Sequence, residues 1–159
     1  MKLRELVQQL ISLSVIHRCR ITKNASSVGL YWGQPMILEY VLEHDTCTQA
    51  EIAKALYISP PSVATSLKRI EKAGLITRRQ DERDPRKNHI SITESGKNAL
   101  TEFRKICDST DADMFKGFSE EEKKALHALL LRLHENLDSK SFSCEEIHQL
   151  INTTKGEND

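Results

Sequence analysis

The chain has few of the features that mark catalytic or secreted proteins. Its six glycines are scattered, and no G-x-G-x-x-G or G-K-[ST] run offers a phosphate cradle. No nucleophile stands with a recognisable base, so an enzyme is not expected. Four cysteines, Cys19, Cys47, Cys107 and Cys144, lie far apart and form no C-x-x-C pair. That argues against a disulfide framework and for a reducing cytoplasm. His17, His44, Cys47 and His89 include no pair at zinc-ligand spacing, so neither a metal nor a cofactor is expected. No apolar run approaches a membrane span and no secretory signal opens the sequence, so no membrane partner is expected. Aromatic residues make up only 5% of the chain. The core must therefore be built from Leu, Ile and Val, as suits a helical protein. A chain of 159 residues fits one domain with a sizeable core.

The net charge is zero, but it is unevenly spread. Ser59–Lys97 holds nine Lys/Arg against five Asp/Glu, whereas 98–159 holds eight against thirteen. A neutral chain with one basic segment has the electrostatic footprint of a nucleic-acid face.

That segment, Ser59 to Gly96, organises the rest. Ser59 suits an N-cap and Pro60 a first helical position. Val63, Leu67 and Ile70 recur at helical spacing as one buried stripe. Ser62, Thr65, Ser66, Lys68, Arg69 and Lys72 fall off that stripe and face outward. Gly74 closes the helix in a left-handed conformation. Leu75–Gln80 and Asn88–Thr93 alternate apolar and polar residues and read as a hairpin. Between them lie Asp81, Arg83, Asp84, Arg86 and Lys87. A polar-faced helix followed by a basic hairpin predicts a winged helix. The fold class expected is mainly α with a small β-hairpin wing.

The run D-E-R-D-P-R-K-N-H-I-S-I-T-E-S-G, from Asp81 to Gly96, resembles the wing of the MarR family of bacterial transcription regulators. The upstream pattern Leu30, Gln34, Leu38, Leu42, Thr48-Gln49-Ala50-Glu51-Ile52-Ala53 and Leu56 resembles the same family. The likeness spans about Leu30 to Gly96. It implies a sequence-specific regulator of double-stranded DNA, a ligand-responsive repressor acting as a homodimer on a pseudo-palindromic operator. A helix in the major groove reads base edges from its N-terminal half. Ser59, Pro61, Ser62, Ala64, Thr65, Lys68 and Arg69 are its candidate contacts. In the family an arginine of the wing enters the minor groove, braced by an aspartate two residues earlier. By that likeness Arg86 is the groove arginine and Asp84 its brace, with Arg83 a second candidate. Lys87, Arg78, Arg79 and His89 are expected at phosphate or water.

The flanks predict further helices. Leu3–Ile21 is apolar on more than one face and is expected to pack against two partners. Asn24–Gly33 reads as a loop. Pro35 opens a helix to Glu43 with Met36, Ile37, Leu38, Val41 and Leu42 inward. Thr48 with Glu51, and Ser119 with Glu122, form capping boxes. A long helix follows Thr93, and another carries Leu126, Leu130, Leu133 and Leu137. Ser143 opens a last short helix with Ile147, Leu150 and Ile151. These outer helices offer more apolar surface than one winged helix covers, so a homodimer is expected. The division read is 1–32 for an N-terminal dimerisation helix and loop and 33–96 for the winged helix-turn-helix. C-terminal dimerisation helices follow at 97–155, then a tail at 156–159.

The resemblance also implies a small aromatic or lipophilic effector between the dimer base and the winged helix. Leu13, Ile16, His17, Tyr31, Trp32, Met36 and Phe103 would line such a pocket, although ordinary core is the expectation for most of them. Cys19 sits where a peroxide-sensing branch of the family carries its reactive cysteine, beside His17, Arg18 and Arg20. The simpler expectation is a buried small hydrophobe. Two alternatives stay open: a redox regulator using Cys19, and a winged helix that binds protein rather than DNA.

Overall fold

The computed structural model describes residues 2–44, 46–81 and 88–137. Helix α1 spans Leu3–Ala25, α2 Gln34–Glu43, α3 Gln49–Ala55 and α4 Pro60–Lys72. Strands β2 (Ile76–Gln80) and β3 (Asn88–Ile92) follow, then α5 (Glu94–Met114) and α6 (Glu120–Asn136). A two-residue strand β1, Cys47–Thr48, precedes α3 and pairs with β3. The sheet is therefore three-stranded and antiparallel, in the order β1-β3-β2. The hairpin alone was expected. β1 is too short to alternate visibly in sequence, and Cys47↔Ile90 pairing supplies its place. Wing residues Arg83, Asp84, Arg86 and Lys87, with Cys144 and the helix expected at 143–151, lie outside the described residues.

The helix boundaries follow local chemistry. Ser59 Oγ accepts from the Ser62 amide at 3.4 Å, and Pro60 and Pro61 occupy first-turn positions whose missing donors cost little. Thr48 accepts from the Glu51 amide while Glu51 accepts from Thr48 N at 2.7 Å, closing the expected capping box. Ser119 and Glu122 do the same for α6. Gly74, at φ +74°, ends α4 in the left-handed region. In place of the loop expected at Asn24–Gly33, α1 continues to Ala25 and a 3₁₀ turn follows at Ser26–Val28. Leu30, fully buried, pins that connection to the core.

The core lies where α2, α3, α4 and the sheet converge. Ile37, Leu38, Val41, Ile52, Val63, Leu67, Ile70, Ile76 and Ile90 are all buried there, and Leu100 of α5 joins them. Met36 departs from its expected inward place: it is exposed, because it sits off the α2 stripe that Ile37, Leu38 and Val41 define. The N-terminal half of α1 and all of α6 bury no side chain within one chain.

One joint fixes α5 to the end of α4 and the start of β2. Thr93 caps α5, its Oγ1 accepting from Gly96 N at 3.0 Å. The same hydroxyl donates to the Gly74 carbonyl at 2.7 Å, and Thr93 N donates to the Leu75 carbonyl at 3.0 Å. The Leu75 carbonyl lies so close to Gly96 that an added Cβ would stand 2.1 Å from its oxygen. Gly96 therefore has a packing reason and no conformational one. Alanine is better than glycine in a helix by about 1 kcal/mol, whereas overpacking against backbone costs about 1–3 kcal/mol or more. Gly96→Ala is expected to lower stability by about 1–2 kcal/mol net, read as a drop in the urea midpoint at unchanged m-value. A midpoint that holds or rises would contradict the close approach.

Candidate DNA-binding face

Helix α4 turns its buried stripe to the core and presents the opposite face to solvent. Ser59, Pro61, Ser62, Thr65, Lys68 and Arg69 are exposed, and Ala64 is half-buried at their edge. Two hydroxyls are held locally. Ser62 Oγ lies 2.8 Å from Ser59 Oγ, and Thr65 Oγ1 donates to the Pro61 carbonyl at 3.0 Å. Such bonds are exchangeable for a base edge without leaving a buried orphan, because every partner reaches solvent. The helix end is thus ordered but uncommitted.

The basic residues divide into two groups. Among the described residues, Lys68, Arg69 and Arg79 are exposed and take part in no ion pair. Arg78 and His89 are engaged inside the protein. Arg78 Nε lies 2.8 Å from Glu71 Oε2, an ion pair whose N–H is not aimed at the oxygen. His89 Nε2 lies 2.6 Å from Asp81 Oδ2 at the loop end of the paired strands. The register pairs Arg79 with His89 and Arg78 with Ile90, so Arg79 and Arg78 leave β2 on opposite faces. That alternation explains why two neighbouring arginines have different fates.

Sequence reading missed two contributors to this region. Gln49 Nε2 donates to the Pro60 carbonyl at 3.3 Å and ties α3 to the start of α4. Lys54, with Arg78 and Asn88, lines a cleft of about 680 Å³ between α3 and the strands. Neither residue belongs to a periodic stripe, so pattern alone gave no signal. Their polarity beside a helix start was the available clue.

The second candidate site is a cleft of about 320 Å³ between α1, α2 and α5. His17, Tyr31, Trp32, Met36 and Phe103 line it, but Leu13 and Ile16 do not and stand exposed further along α1. Tyr31, Trp32 and Met36 are not the core residues expected: all three are substantially exposed, Tyr31 and Trp32 where the chain turns at Gly33, φ +82°, and Met36 off the inward stripe of α2. The Arg18 guanidinium lies 5.4 Å from the Trp32 ring centroid, a cation–π contact. His17 Nε2 meets Asp111 Oδ1 and Arg20 Nη2 meets Asp113 Oδ2, each at 2.7 Å, clasping α1 to α5.

Cys19 is exposed in the single chain and is not the buried hydrophobe expected. Its basic neighbours are turned to other partners: Asp111, Trp32 and Asp113. Burial pushes the Cys47 thiol up to about 11, with the Glu51 carboxylate adding to the shift. Burial also raises the Cys107 thiol, helped by Asp111, Asp108 and Glu39. Both are poor nucleophiles at neutral pH.

Residues 29–87 match the sequence model of the MarR family. The uncharacterized HTH-type transcriptional regulator YwhA of Bacillus subtilis is 27% identical over 128 residues, 80% of this chain and 88% of that protein. The crystal structure of YusO, also from Bacillus subtilis, shares the fold at a TM-score of 0.74 with 20% identity, covering 84% of this chain and 94% of that one. A mutant of MepR from S. aureus, solved bound to an oligodeoxyribonucleotide, has a TM-score of 0.65 at 27% identity and covers 86% and 99%. No helix among the described residues is long and apolar enough to cross a membrane. With the winged helix-turn-helix fold, these likenesses are to DNA-binding transcription regulators of the MarR family, by sequence model over residues 29–87 and by fold over most of the chain.

Proposed function

We propose that the protein is a ligand-responsive repressor that binds a pseudo-palindromic operator as a cytoplasmic homodimer. The observation that carries the DNA reading is the set of exposed, unpaired cations Lys68 and Arg69 on α4 and Arg79 on β2. On this reading α4 enters the major groove. Ser59, Pro61, Ser62, Ala64, Thr65, Lys68 and Arg69 face bases and nearby phosphates, while Arg79 meets the backbone. Asp84 and the arginines Arg83 and Arg86 keep the roles the family wing implies, together with Lys87. Residues 33–96 form the DNA-binding unit, and 1–32 with 97–155 the dimerisation helices. The DNA-bound state of the MepR relative supports the partner class.

The dimer reading rests on uncovered apolar surface. Leu6, Val7, Leu10 and Ile11 on α1, with Leu129, Leu130, Leu131 and Leu133 on α6, are all exposed in one chain. Leaving that much leucine in water is costly, at about 25 cal/mol per Å², and a second copy covers it at once. The effector reading rests on the aromatic cleft beside α1, whose volume suits a small aromatic or lipophilic molecule. A second reading, redox control through Cys19, draws support from that thiol's exposure.

Three measurements test these assignments, using a cognate duplex selected from a random library and a scrambled control. Thr65→Ala or Arg69→Ala is expected to cost about 1–3 kcal/mol on the cognate duplex, with little change on the control. Equal losses on both duplexes would move those residues from base to phosphate. Half-site centres are expected about 10 bp apart, one turn of the duplex.

Sedimentation at micromolar concentration is expected to give twice the mass of one chain, and Leu130→Asp to shift it toward one chain while weakening DNA binding. A single-chain mass for the unaltered protein refutes the dimer.

At pH 8 a thiol-alkylating reagent is expected to modify Cys19 well before Cys47, whose raised pKa leaves little thiolate. Peptide mapping reads the order. Hydroperoxide is expected to leave DNA binding intact. If it releases the unaltered protein but not Cys19→Ser, the redox reading replaces the ligand reading.

A further inference from the structure

Arg78 is a wing-side cation that sequence places at phosphate, yet the fold turns it toward α4. Its side chain is 24% exposed against 40% for Glu71, and its Nε is cut off from solvent beside the Glu71 carboxylate. Glu71 stands on the last turn of α4 and Arg78 in the middle of β2, on the other side of the Gly74 turn. The pair therefore braces the corner between the two elements read as contacting DNA. Beyond the turn itself, the corner is held by Leu75 N donating to the Ile70 carbonyl at 2.9 Å and by the Thr93 bonds to the Gly74 and Leu75 carbonyls, all at the root of the hairpin, whereas the Glu71–Arg78 pair joins α4 to the middle of β2.

We infer that Glu71 and Arg78 are positioning residues. Their ion pair sets the angle between α4 and the hairpin so that both meet one duplex together, and Arg78 is not a phosphate ligand. The inference rests on reading α4 and the hairpin as the DNA-contacting elements. Its consequence runs against simple electrostatics. Removing the Glu71 charge takes a negative group away from a polyanion and frees a cation, and both changes favour tighter binding. A positioning role gives the opposite sign, because an unbraced hairpin must be ordered at the moment of binding.

The test compares full-length Glu71→Gln, Arg78→Gln, the double variant and the charge-reversed pair Glu71→Arg with Arg78→Glu. Each is titrated on the selected cognate duplex across a salt series, with thermal midpoints recorded to confirm folding. Either single change is expected to weaken binding roughly three- to thirtyfold, one pair being lost in each of two protomers. The double variant should be no worse than the singles, the reversed pair should recover affinity, and the salt slope of Arg78→Gln should stay put. Tighter binding by Glu71→Gln overturns the inference. So does a slope for Arg78→Gln shallower by about one unit per protomer, which marks a phosphate contact. Thr65→Ala in the same titration separates the two levels. If it weakens binding while Glu71→Gln tightens it, the brace fails and the DNA face stands. If neither Thr65→Ala nor the pair alters binding, the DNA face itself fails.

Discussion

The close approach of the first turn of α5 to the Gly74–Leu75 backbone is the contact on which the arrangement depends. Gly74 ends α4 and Leu75 leads into the hairpin, so the joint touches both elements proposed to contact DNA at their common root. Thr93 spends its hydroxyl twice, as cap to Gly96 and as donor to Gly74. Its amide satisfies the Leu75 carbonyl from the same position. No flexible side chain intervenes, and Gly96 leaves no room for one. A long helix anchored through backbone atoms at one end transmits its orientation stiffly to the other.

At that other end α5 holds α1 through Asp111 and Asp113, and midway it meets α2 through Arg104 and Glu39. These pairs are exposed, and pairs of that kind contribute little stability on their own. Their value is geometric. Glu39 and Phe103 both border the aromatic cleft, and His17 both borders it and reaches Asp111. Whatever enters that cleft presses on α1, α2 and α5 together, and α5 is the element rooted at the reading helix. The cleft thus borders the middle of the helix whose first turn is rooted at the end of α4.

Much of this was legible in the residues. Ser59, Pro60 and Gly74 are strong local punctuation, and Val63, Leu67 and Ile70 leave only one inward face for α4. The capping boxes at Thr48 and Ser119 depend on residues three apart and survive any tertiary context. What escaped depends on distant partners. Cys47 and Thr48 become a strand only because β3 lies beside them. Met36 looks like a core residue by composition, and its exposure follows from the phase of α2. Arg78 and Arg79 are chemically identical in sequence, and only the pleat of β2 against α4 separates an inward ion pair from a free surface charge. Gly96 carries no turn signal at all, because its reason is the carbonyl of a residue twenty-one positions earlier.

The zero net charge of a DNA-binding chain also finds its explanation in distance. Helix α5 runs for 21 residues, about 30 Å at 1.5 Å per residue, away from the joint at Thr93. The acidic surplus, including Asp111, Asp113 and Glu120 to Glu122, sits at or past its far end. At physiological salt the Debye length is about 8 Å, so a phosphate at α4 lies several screening lengths from those carboxylates. On the proposed reading it responds instead to Lys68, Arg69 and Arg79. The carboxylates serve locally, as partners for His17 and Arg20 and as favourable charges at the start of α6. Opposite charges at two ends of a long helix cancel in the total while remaining electrostatically independent, and the total says nothing of the face that meets DNA.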